Sequence, residues 1–391
     1  MQVIVVGAGP VGLMLAWLLS RQGIAVQTFE ASHQIADQLR ASTFHPPTLD
    51  MLRVDGLTDV LHHHGRVTPT WQIRLHETHE HVTFDLGMLS DDTDHPYRLQ
   101  CHQRVLSQAL ASRLSAAGSP VRFSSPVLSV GQNERHAWVQ LASGQRLEAD
   151  YVIGADGAKS VVRAATGAKF DGEAYPETTI LATTRFPFEQ LLPDLAGVNY
   201  VWKEGGTFSL LRLPDLWRCS FQARLDHNHQ AIDIEADLQR HLHEVFAERA
   251  REIQIIEHRA YRVHRRLADR WRNRRLFLVG DAAHLTSPKG GMGLNGGLHD
   301  AFELVASLAE ADFEPNADVL DRYERRRKPV VETDIIGQAD RNRQRMAIVD
   351  ATARQAELQR LQQIQQDAPT CLAFLRASSM LTGLAKAAAT D

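Results

Sequence analysis

The sequence predicts an α/β protein in which a nucleotide-binding type of βαβ unit is interrupted by a mostly β region and followed by a helical tail. Three observations support this. The first thirty residues are typical of a strand, a glycine turn, a helix, a second strand and an acid. Residues 178–225 alternate and are rich in β-branched and aromatic side chains, and residues from 318 onward have helical spacing. A chain of 391 residues has room for two or three domains.

The glycine turn lies where a dinucleotide would bind. An apolar run at residues 3–6 ends in a GxGxxG pattern, which consists of Gly7, Ala8, Gly9, Pro10, Val11 and Gly12. Gly7 permits a tight turn, Gly9 lets the backbone approach a pyrophosphate, and Gly12 lets helix and strand pack closely. Glu30 ends the next apolar run, at about the place where a carboxylate meets a ribose hydroxyl. The chain is therefore expected to open with a Rossmann-like unit.

Two later apolar runs end in the same kind of polar turn. The run at residues 151–154 leads into Asp156 and Gly157, and the run at residues 276–279 leads into Gly280 and Asp281. A glycine-rich loop and a long helix follow the second run, and the loop contains Pro288, Gly291, Gly293, Leu294 and Asn295. Acids at strand ends beside helix N-termini suit a diphosphate or a ribose, and the loop amides suit a planar ligand that develops negative charge.

Composition argues against several classes of function. The formal net charge of −4 gives no general reason to expect binding to nucleic acid or to a membrane. We expect a cytoplasmic protein, because the sequence has no signal-like segment and no apolar run of about 18 residues. Three scattered cysteines favour reduced thiols over disulfides or a metal site, and consecutive His62, His63 and His64 favour solvated side chains over a metal site. The arginine-rich residues 263–275 are expected to form a solvated connector, since no aromatic stacking platform accompanies them.

Together the three motifs resemble those of the class A flavoprotein monooxygenases of the para-hydroxybenzoate hydroxylase type, over residues 1 to about 345. The resemblance implies that the first motif binds the ADP half of FAD, that the second serves FAD and reduced nicotinamide, and that Asp281 holds the ribityl chain. It also implies that Arg40 and Arg104 contact FAD and that the backbone of Val127 lies near the adenine. From the residues alone, solvent exposure explains Arg40 as well as a phosphate contact does. His284 is expected to be a packing or hydrogen-bonding residue of its motif.

The activity implied by the resemblance is monooxygenation. FAD, NADH or NADPH, and O₂ would hydroxylate an aromatic or heteroaromatic small molecule through a flavin C4a-hydroperoxide, with Pro288 bordering the oxygen site as an acceptor only. The acid–base residue stays open among His45, Tyr200 and His102. Two other classes also stay open. One is a flavin enzyme of the same fold with dehydrogenase, epoxidase or Baeyer–Villiger chemistry, and the other is an FAD-binding redox sensor without turnover.

The resemblance also predicts the domain organisation. The expected parts are a discontinuous FAD-binding domain (1–70, 97–174 and 265–345), a mostly β substrate domain (71–96 and 175–264) and a C-terminal helical tail (346–391). Candidates for facing the substrate are Tyr200, Trp202, Phe208, Leu210, Arg212 and Arg224. Each of these side chains could equally well pack in the core or face solvent. An arginine within an apolar strand would, however, suit an anionic substrate. The tail is expected to pack on its own chain in preference to a second subunit, in a monomer or a homodimer.

Overall fold

The computed structural model describes residues 1–37, 41–223, 233–312 and 318–391. Arg40 and Arg224, for which contacts were predicted, lie outside these residues.

The described helices are α1 (Pro10–Arg21), α2 (Pro46–Arg53), α3 (Leu57–His64), α4 (Gln103–Ala116), α5 (Val161–Thr166), α6 (Ile234–Phe246), α7 (Met292–Glu310), α8 (Val319–Val330), α9 (Gly337–Met346), α10 (Ala351–Gln366), α11 (Ala368–Ser378) and α12 (Leu381–Ala388). The described strands are β1 (Gln2–Val6), β2 (Ala25–Phe29), β3 (Thr43–Phe44), β4 (Arg66–Thr68), β5 (Thr70–Leu75), β6 (His81–Asp85), β7 (Arg98–Gln100), β8 (Val127–Gln132), β9 (Ala137–Leu141), β10 (Arg146–Ala149), β11 (Tyr151–Gly154), β12 (Phe170–Thr184), β13 (Val198–Lys203), β14 (Gly206–Arg212), β15 (Trp217–Gln222), β16 (Ile255–Ala268), β17 (Arg272–Asn273), β18 (Leu276–Leu278) and β19 (His284–Leu285).

A five-stranded sheet forms the centre of the α/β part, in the order β17-β18-β11-β1-β2. Three of its pairings are parallel, β1 with β2, β1 with β11 and β11 with β18, while β17 pairs antiparallel with β18 at the edge. Helices α1 and α7 pack on it and on each other, around a core that contains fully buried Ile4, Leu15 and Leu304. The predicted α/β architecture is confirmed. Since parallel strands end at the same edge, the turns after β1, β11 and β18 are brought together.

The mostly β region forms an eight-stranded sheet in the order β19-β16-β12-β15-β14-β13-β5-β6. Helix α6 covers one face of it, through Leu238 and Leu242. The prediction that residues 263–275 form a solvated connector is wrong for residues 263–268, which belong to β16 and pair with β12. Two of the arginines form ion pairs, Arg265 with Asp340 and Arg272 with Asp321, the latter 2.5 Å between Nη1 and Oδ1.

The helical tail packs on the body of its own chain, as predicted. Leu358, Leu361 and Leu375 join a buried cluster with Trp71 and Phe84 of the eight-stranded sheet. Helices α11 and α12 of the tail are separated at Met380, whose φ of +70° interrupts the helical backbone. Within the described segments of the chain, no helix is long and apolar enough to cross a membrane.

Candidate active site

The three sequence motifs meet at the carboxyl edge of the five-stranded sheet. Val6 and Leu278 both stand in register with Gly154, the last residue of β11. Backbone hydrogen bonds continue past the strands, from Ala155 N–H to the Val6 carbonyl (2.8 Å) and from Val279 N–H to the Gly154 carbonyl (3.0 Å). This edge is where open α/β sheets bind their ligands.

The three glycines of the first turn have different surroundings. Gly7 has a φ of +102°, and a Cβ there would lie 2.4 Å from the Ala155 carbonyl oxygen. A Cβ on Gly12 would lie 2.1 Å from the Gly7 carbonyl oxygen, so strand and helix pack too closely for a side chain. A Cβ on Gly9, in contrast, would have no protein atom within 4 Å. Open space at Gly9, beside the N-terminus of α1, fits a pyrophosphate that approaches the backbone.

The two acids of this edge are bound to nearby backbone. Glu30 Oε2 accepts a hydrogen bond from Ala8 N–H (2.8 Å) and so holds the turn. Asp156 Oδ2 accepts from Val161 N–H (2.8 Å) at the start of α5, while its Oδ1 is buried without a hydrogen-bond partner in the described structure. Burial raises the pKa of Asp156. An unsatisfied buried acceptor of this kind fits a hydroxyl or amide donor of a bound nucleotide.

A buried polar network fixes the third motif. Asp300, on α7, accepts from Gly280 N–H (3.2 Å) and from His284 Nε2–H (2.7 Å) through Oδ2. Its Oδ1 accepts from Arg327 Nε–H (2.8 Å) on α8. His284 is therefore a hydrogen-bonding residue of its motif, as expected, and Asp300 and Arg327 hold the turn that presents Asp281. Sequence reasoning missed both, because no pattern in α7 or α8 marks a buried ion pair that reaches back to the motif.

The glycine-rich loop is tied to residues 43–45 by one buried amide. The Asn295 side chain accepts from His45 N–H (2.9 Å) and donates to the carbonyls of Thr43 (2.9 Å) and Gly291 (2.7 Å). His45 in turn donates its Nε2–H to the Gly290 carbonyl (2.8 Å), and burial together with Arg98 lowers the pKa of His45 to about 3. The ring is thus neutral at physiological pH. These contacts leave the first amides of α7, at Gly293 and Leu294, available to a ligand.

A pocket opens between that loop and the face of the eight-stranded sheet that α6 does not cover. Pro288 lines it on the loop side, and Thr179, Thr207 and Gln222 line it on the sheet side. Met346, at the end of α9, closes one end. The loop that follows the third motif and the predicted substrate sheet therefore face the same space.

Strand register assigns the predicted substrate residues to opposite faces. Tyr200 shares the pocket-side face with Thr207, because both alternate with Val201 and Phe208 of the α6-side core. Phe208 and Leu210 pack in that core, so their predicted substrate contact is wrong. Arg212, two residues after Leu210, lies on the same face of the sheet as Leu210, and its guanidinium carbon is 5.1 Å from the centre of the Trp217 ring. The predicted substrate contact of Arg212 is therefore wrong as well. The alternation was read correctly, but nothing in these strands indicates which face is covered by a helix.

Trp202 is on the pocket-side face, in the part of that face that the C-terminal tail covers. Its side chain is fully buried and donates Nε1–H to the Arg345 carbonyl (3.1 Å), within the cluster formed with the tail. Trp202 therefore anchors the tail.

Two of the residues implied by the resemblance, Arg104 and Val127, belong to elements outside the five-stranded sheet. Arg104, at the start of α4, forms an ion pair with Asp37 and is 45 % exposed. Val127 begins β8 in the separate sheet β10-β9-β8 and is half-buried. Gly157, by contrast, has a φ of +75° and open space around it at the edge, as Gly9 has. Contact of Arg104 and Val127 with a nucleotide stays a prediction.

A buried arginine that sequence reasoning missed reaches the same region. Arg98 on β7 is 3 % exposed, and its guanidinium carbon lies 5.2 Å from the centre of the Trp71 ring. Its Nη2–H donates to the Ser378 carbonyl (3.4 Å), and burial lowers the pKa of its guanidinium, a shift that nearby Tyr200 opposes. Because β7 has three residues and no clear periodicity, no pattern in the sequence indicated that this side chain is buried.

Known proteins share this architecture. Residues 1–335 match the family described as FAD binding domain. The chain is 35 % identical over 335 residues to 6-hydroxy-3-succinoylpyridine 3-monooxygenase HspB of Pseudomonas putida S16, and the match covers 84 % of this chain and 84 % of the relative. It is 30 % identical over 318 residues to para-nitrophenol 4-monooxygenase of Pseudomonas sp. WBC-3, covering 78 % of this chain and 77 % of the relative.

Among solved structures, the crystal structure of p-nitrophenol 4-monooxygenase PnpA from Pseudomonas putida DLL-E4 superposes with a TM-score of 0.87 at 27 % identity. The match covers 96 % of this chain and 98 % of that one. The likeness therefore includes the eight-stranded sheet and the tail.

Proposed function

The chain belongs to the FAD binding domain family and is an FAD-dependent aromatic monooxygenase, and we propose that NADH or NADPH is its electron donor and that the pocket beside Pro288 is where its substrate is hydroxylated. The observation that carries the proposal is this pocket, which lies between the loop after the third motif and the sheet. Relatives named for a substituted pyridine and a nitrophenol support a small aromatic or heteroaromatic substrate.

The residues present fit FAD. Open backbone at Gly9 and the α1 N-terminus would hold the pyrophosphate, with Glu30 on the ribose side and Asp281 on the ribityl chain. The unsatisfied Oδ1 of Asp156 would accept a further hydrogen bond from the cofactor. Amides of Gly293 and Leu294 at the start of α7 would stabilise negative charge on the flavin ring. FAD, when bound, supplies hydride acceptance from reduced nicotinamide and the activation of O₂.

The protein groups of the pocket position and shield the substrate. Pro288 lines the pocket without an N–H to donate, and its carbonyl accepts a hydrogen bond from Gly291 N–H (3.0 Å) within the loop. His45 is buried and neutral, and its Nε2–H is committed to the Gly290 carbonyl, so its role in this proposal is to position the loop. His102 precedes α4 and is exposed, whereas Tyr200 lies on the pocket-side face and is half-buried, so Tyr200 is the better candidate for contact with a substrate hydroxyl.

The compartment and assembly are part of the proposal. The three cysteines, Cys101, Cys219 and Cys371, are free and buried thiols. Free thiols and use of reduced nicotinamide suit the cytoplasm. Packing of the tail on its own body lets a monomer fold by itself, and a homodimer would use other surfaces.

The test is substrate-stimulated nicotinamide oxidation by purified protein that contains FAD. Phenols and heteroaromatic acids are screened with NADH and with NADPH, and the products are analysed by mass spectrometry. A ring compound that accelerates oxidation and gains one oxygen atom supports the proposal. Stimulated oxidation that ends only in hydrogen peroxide, for every compound and both nucleotides, contradicts hydroxylation.

A further inference from the structure

The pocket beside Pro288 is closed on one side by an ion pair between two separate elements. Glu177, on β12, and Arg343, on α9, both line the pocket, and their side chains are 19 % and 25 % exposed. Arg343 donates to both carboxylate oxygens of Glu177, from Nε at 3.2 Å and from Nη2. Because both side chains line the pocket and are partly exposed, the pair lies where the pocket meets solvent.

A second set of contacts surrounds this pair. The Arg343 guanidinium carbon lies 4.2 Å from the centre of the Tyr175 ring, and the Tyr175 hydroxyl donates to Asp340 Oδ1 on α9. Arg265, on β16, reaches the other oxygen of that carboxylate, 3.3 Å between Nη1 and Oδ2. We refer to Tyr175, Glu177, Arg265, Asp340 and Arg343 together as the clasp. The clasp joins α9 to the eight-stranded sheet through side chains.

The backbone departs from regular structure on both sides of the clasp. Residues 175–177 of β12 stand opposite the single residue Val263 of β16, because the pairing of the two strands shifts between Ala174 and Thr178. A bulge of this kind bends a strand and redirects its side chains. On the helical side, residues 331–336 form a π-helix directly before α9, and such turns are frequent at functional sites. Both partners of the ion pair are thus attached to irregular backbone, which can shift without breaking the regular pairing around it.

The other walls of the pocket are fixed by backbone pairing and buried hydrogen bonds. On the sheet side, Thr179 is held in the ladder between Gln222 and Tyr261. On the loop side, the buried amide of Asn295 ties the glycine-rich loop to residues 43–45. The clasp instead depends on partly exposed charged side chains, and ion pairs of that kind are weak. The clasp is therefore the wall that opens most easily.

We propose that the clasp is the entrance of the pocket, and that breaking the ion pair of Glu177 and Arg343 admits the aromatic compound. This inference rests on the proposed function, whose pocket it uses. Met346, at the end of α9, also lines the pocket, so a movement of α9 widens the pocket as it opens it. Closure of the pair behind the substrate then shields the space beside Pro288 from water, which protects reactive intermediates from side reactions.

The experiment measures how fast a neutral heteroaromatic reagent reaches the inside of the pocket. Thr207 lines the pocket and is 7 % exposed, so Thr207→Cys places a reporter thiol there. The native cysteines are buried. The FAD-containing protein is mixed with 4,4′-dithiodipyridine, without nicotinamide and without turnover, and release of thiopyridone gives the labelling rate. Mass spectrometry of peptides verifies that residue 207 carries the label.

Four variants are made in this reporter background. Arg343→Met removes the cation, Glu177→Gln removes the anion with almost no change of shape, and a third variant combines both substitutions. Arg376→Met is the matched control. Arg376 of the tail also donates to both oxygens of a carboxylate, that of Asp92, at 2.8 and 2.9 Å, and neither of these two is among the described residues that line the pocket.

We expect Arg343→Met and Glu177→Gln each to be labelled roughly 3-fold faster or more than the reporter background. The double variant should be labelled no faster than the single variants, because each removes the same interaction. Rising ionic strength should speed labelling of the background and leave the variants unchanged, since salt screens the pair. Arg376→Met should be labelled like the background, and flavin content and melting temperature verify that every variant is folded.

Three results would overturn the inference. They are substitutions at Glu177 and Arg343 that leave the labelling rate unchanged or lower it, substitutions whose effects add in the double variant, and an Arg376→Met variant that is labelled as fast as Arg343→Met. The first would show that compounds reach the pocket by another route, and the last that loss of any ion pair loosens the protein. Because labelling needs neither substrate nor turnover, these results are distinct from a failure to hydroxylate, which would count against the proposed function alone.

Discussion

Replacing Gly9 by valine tests the cofactor site without disturbing the fold. Gly9 has φ −67° and ψ 172°, which any residue adopts, and a Cβ there meets no protein atom within 4 Å. The free energy of unfolding of the apoprotein should therefore change by less than about 1 kcal/mol. The side chain would instead fill the space assigned to the pyrophosphate. Overpacking of that kind costs about 1–3 kcal/mol, which weakens FAD binding by roughly 5- to 150-fold.

The matched control is Gly12→Ala, three residues along the same turn. Its Cβ would lie 2.1 Å from the Gly7 carbonyl oxygen, so backbone must move, and stability should fall by about 1–3 kcal/mol or more. FAD affinity is measured by titrating apoprotein, with flavin absorbance near ~450 nm, a property of the cofactor itself, as a second readout. Thermal unfolding followed by circular dichroism reports stability. A Gly9→Val protein that binds FAD with the parent's affinity would refute the assignment of this turn.

The remaining predictions concern buried groups that support the site. Asp300→Ala should lose about 3–5 kcal/mol of unfolding free energy, because it leaves Arg327 buried and unpaired. Glu310→Ala, at an exposed ion pair with Arg322, should leave stability nearly unchanged, and urea unfolding measures both variants. Burial raises the pKa of Asp300, but His284 and Arg327 together lower it to about 2, so its contribution should be complete above about pH 4 and decline as the pH falls toward 2. A stability difference between the parent and Asp300→Ala that stays constant over this range contradicts that account. Trp202→Ala should cost about 3–5 kcal/mol and loosen the tail, detected as faster proteolysis there, and unchanged proteolysis would contradict its anchoring role.

Sequence patterns predicted the parts of the site whose geometry is local. A strand that ends in glycine or an acid specifies its own turn, so Gly7, Gly12 and Gly280 could be placed before any tertiary contact was known. The parallel sheet then brings these turns together, since its strands end at one edge.

The parts that were missed depend on contacts distant in sequence. Alternation along β14 shows two faces but not which one α6 covers, so Phe208 and Leu210 were assigned to the wrong side. No sequence pattern marks Arg98 or Asp300 as buried. Arg98 is buried between the tail and the eight-stranded sheet, and Asp300 is buried between α7 and α8 beside the third motif.

Isotope-labelled oxygen tests the central claim most directly. The FAD-containing protein is given reduced nicotinamide, a stimulating aromatic compound and ¹⁸O₂, and product and nicotinamide oxidised are both quantified. Aromatic monooxygenation predicts one ¹⁸O atom in each product molecule, with product formed in close to equal amount to the nicotinamide oxidised. A product whose added oxygen comes from water, or an oxidised product with no added oxygen, would contradict the account and indicate a dehydrogenase or a different flavin chemistry.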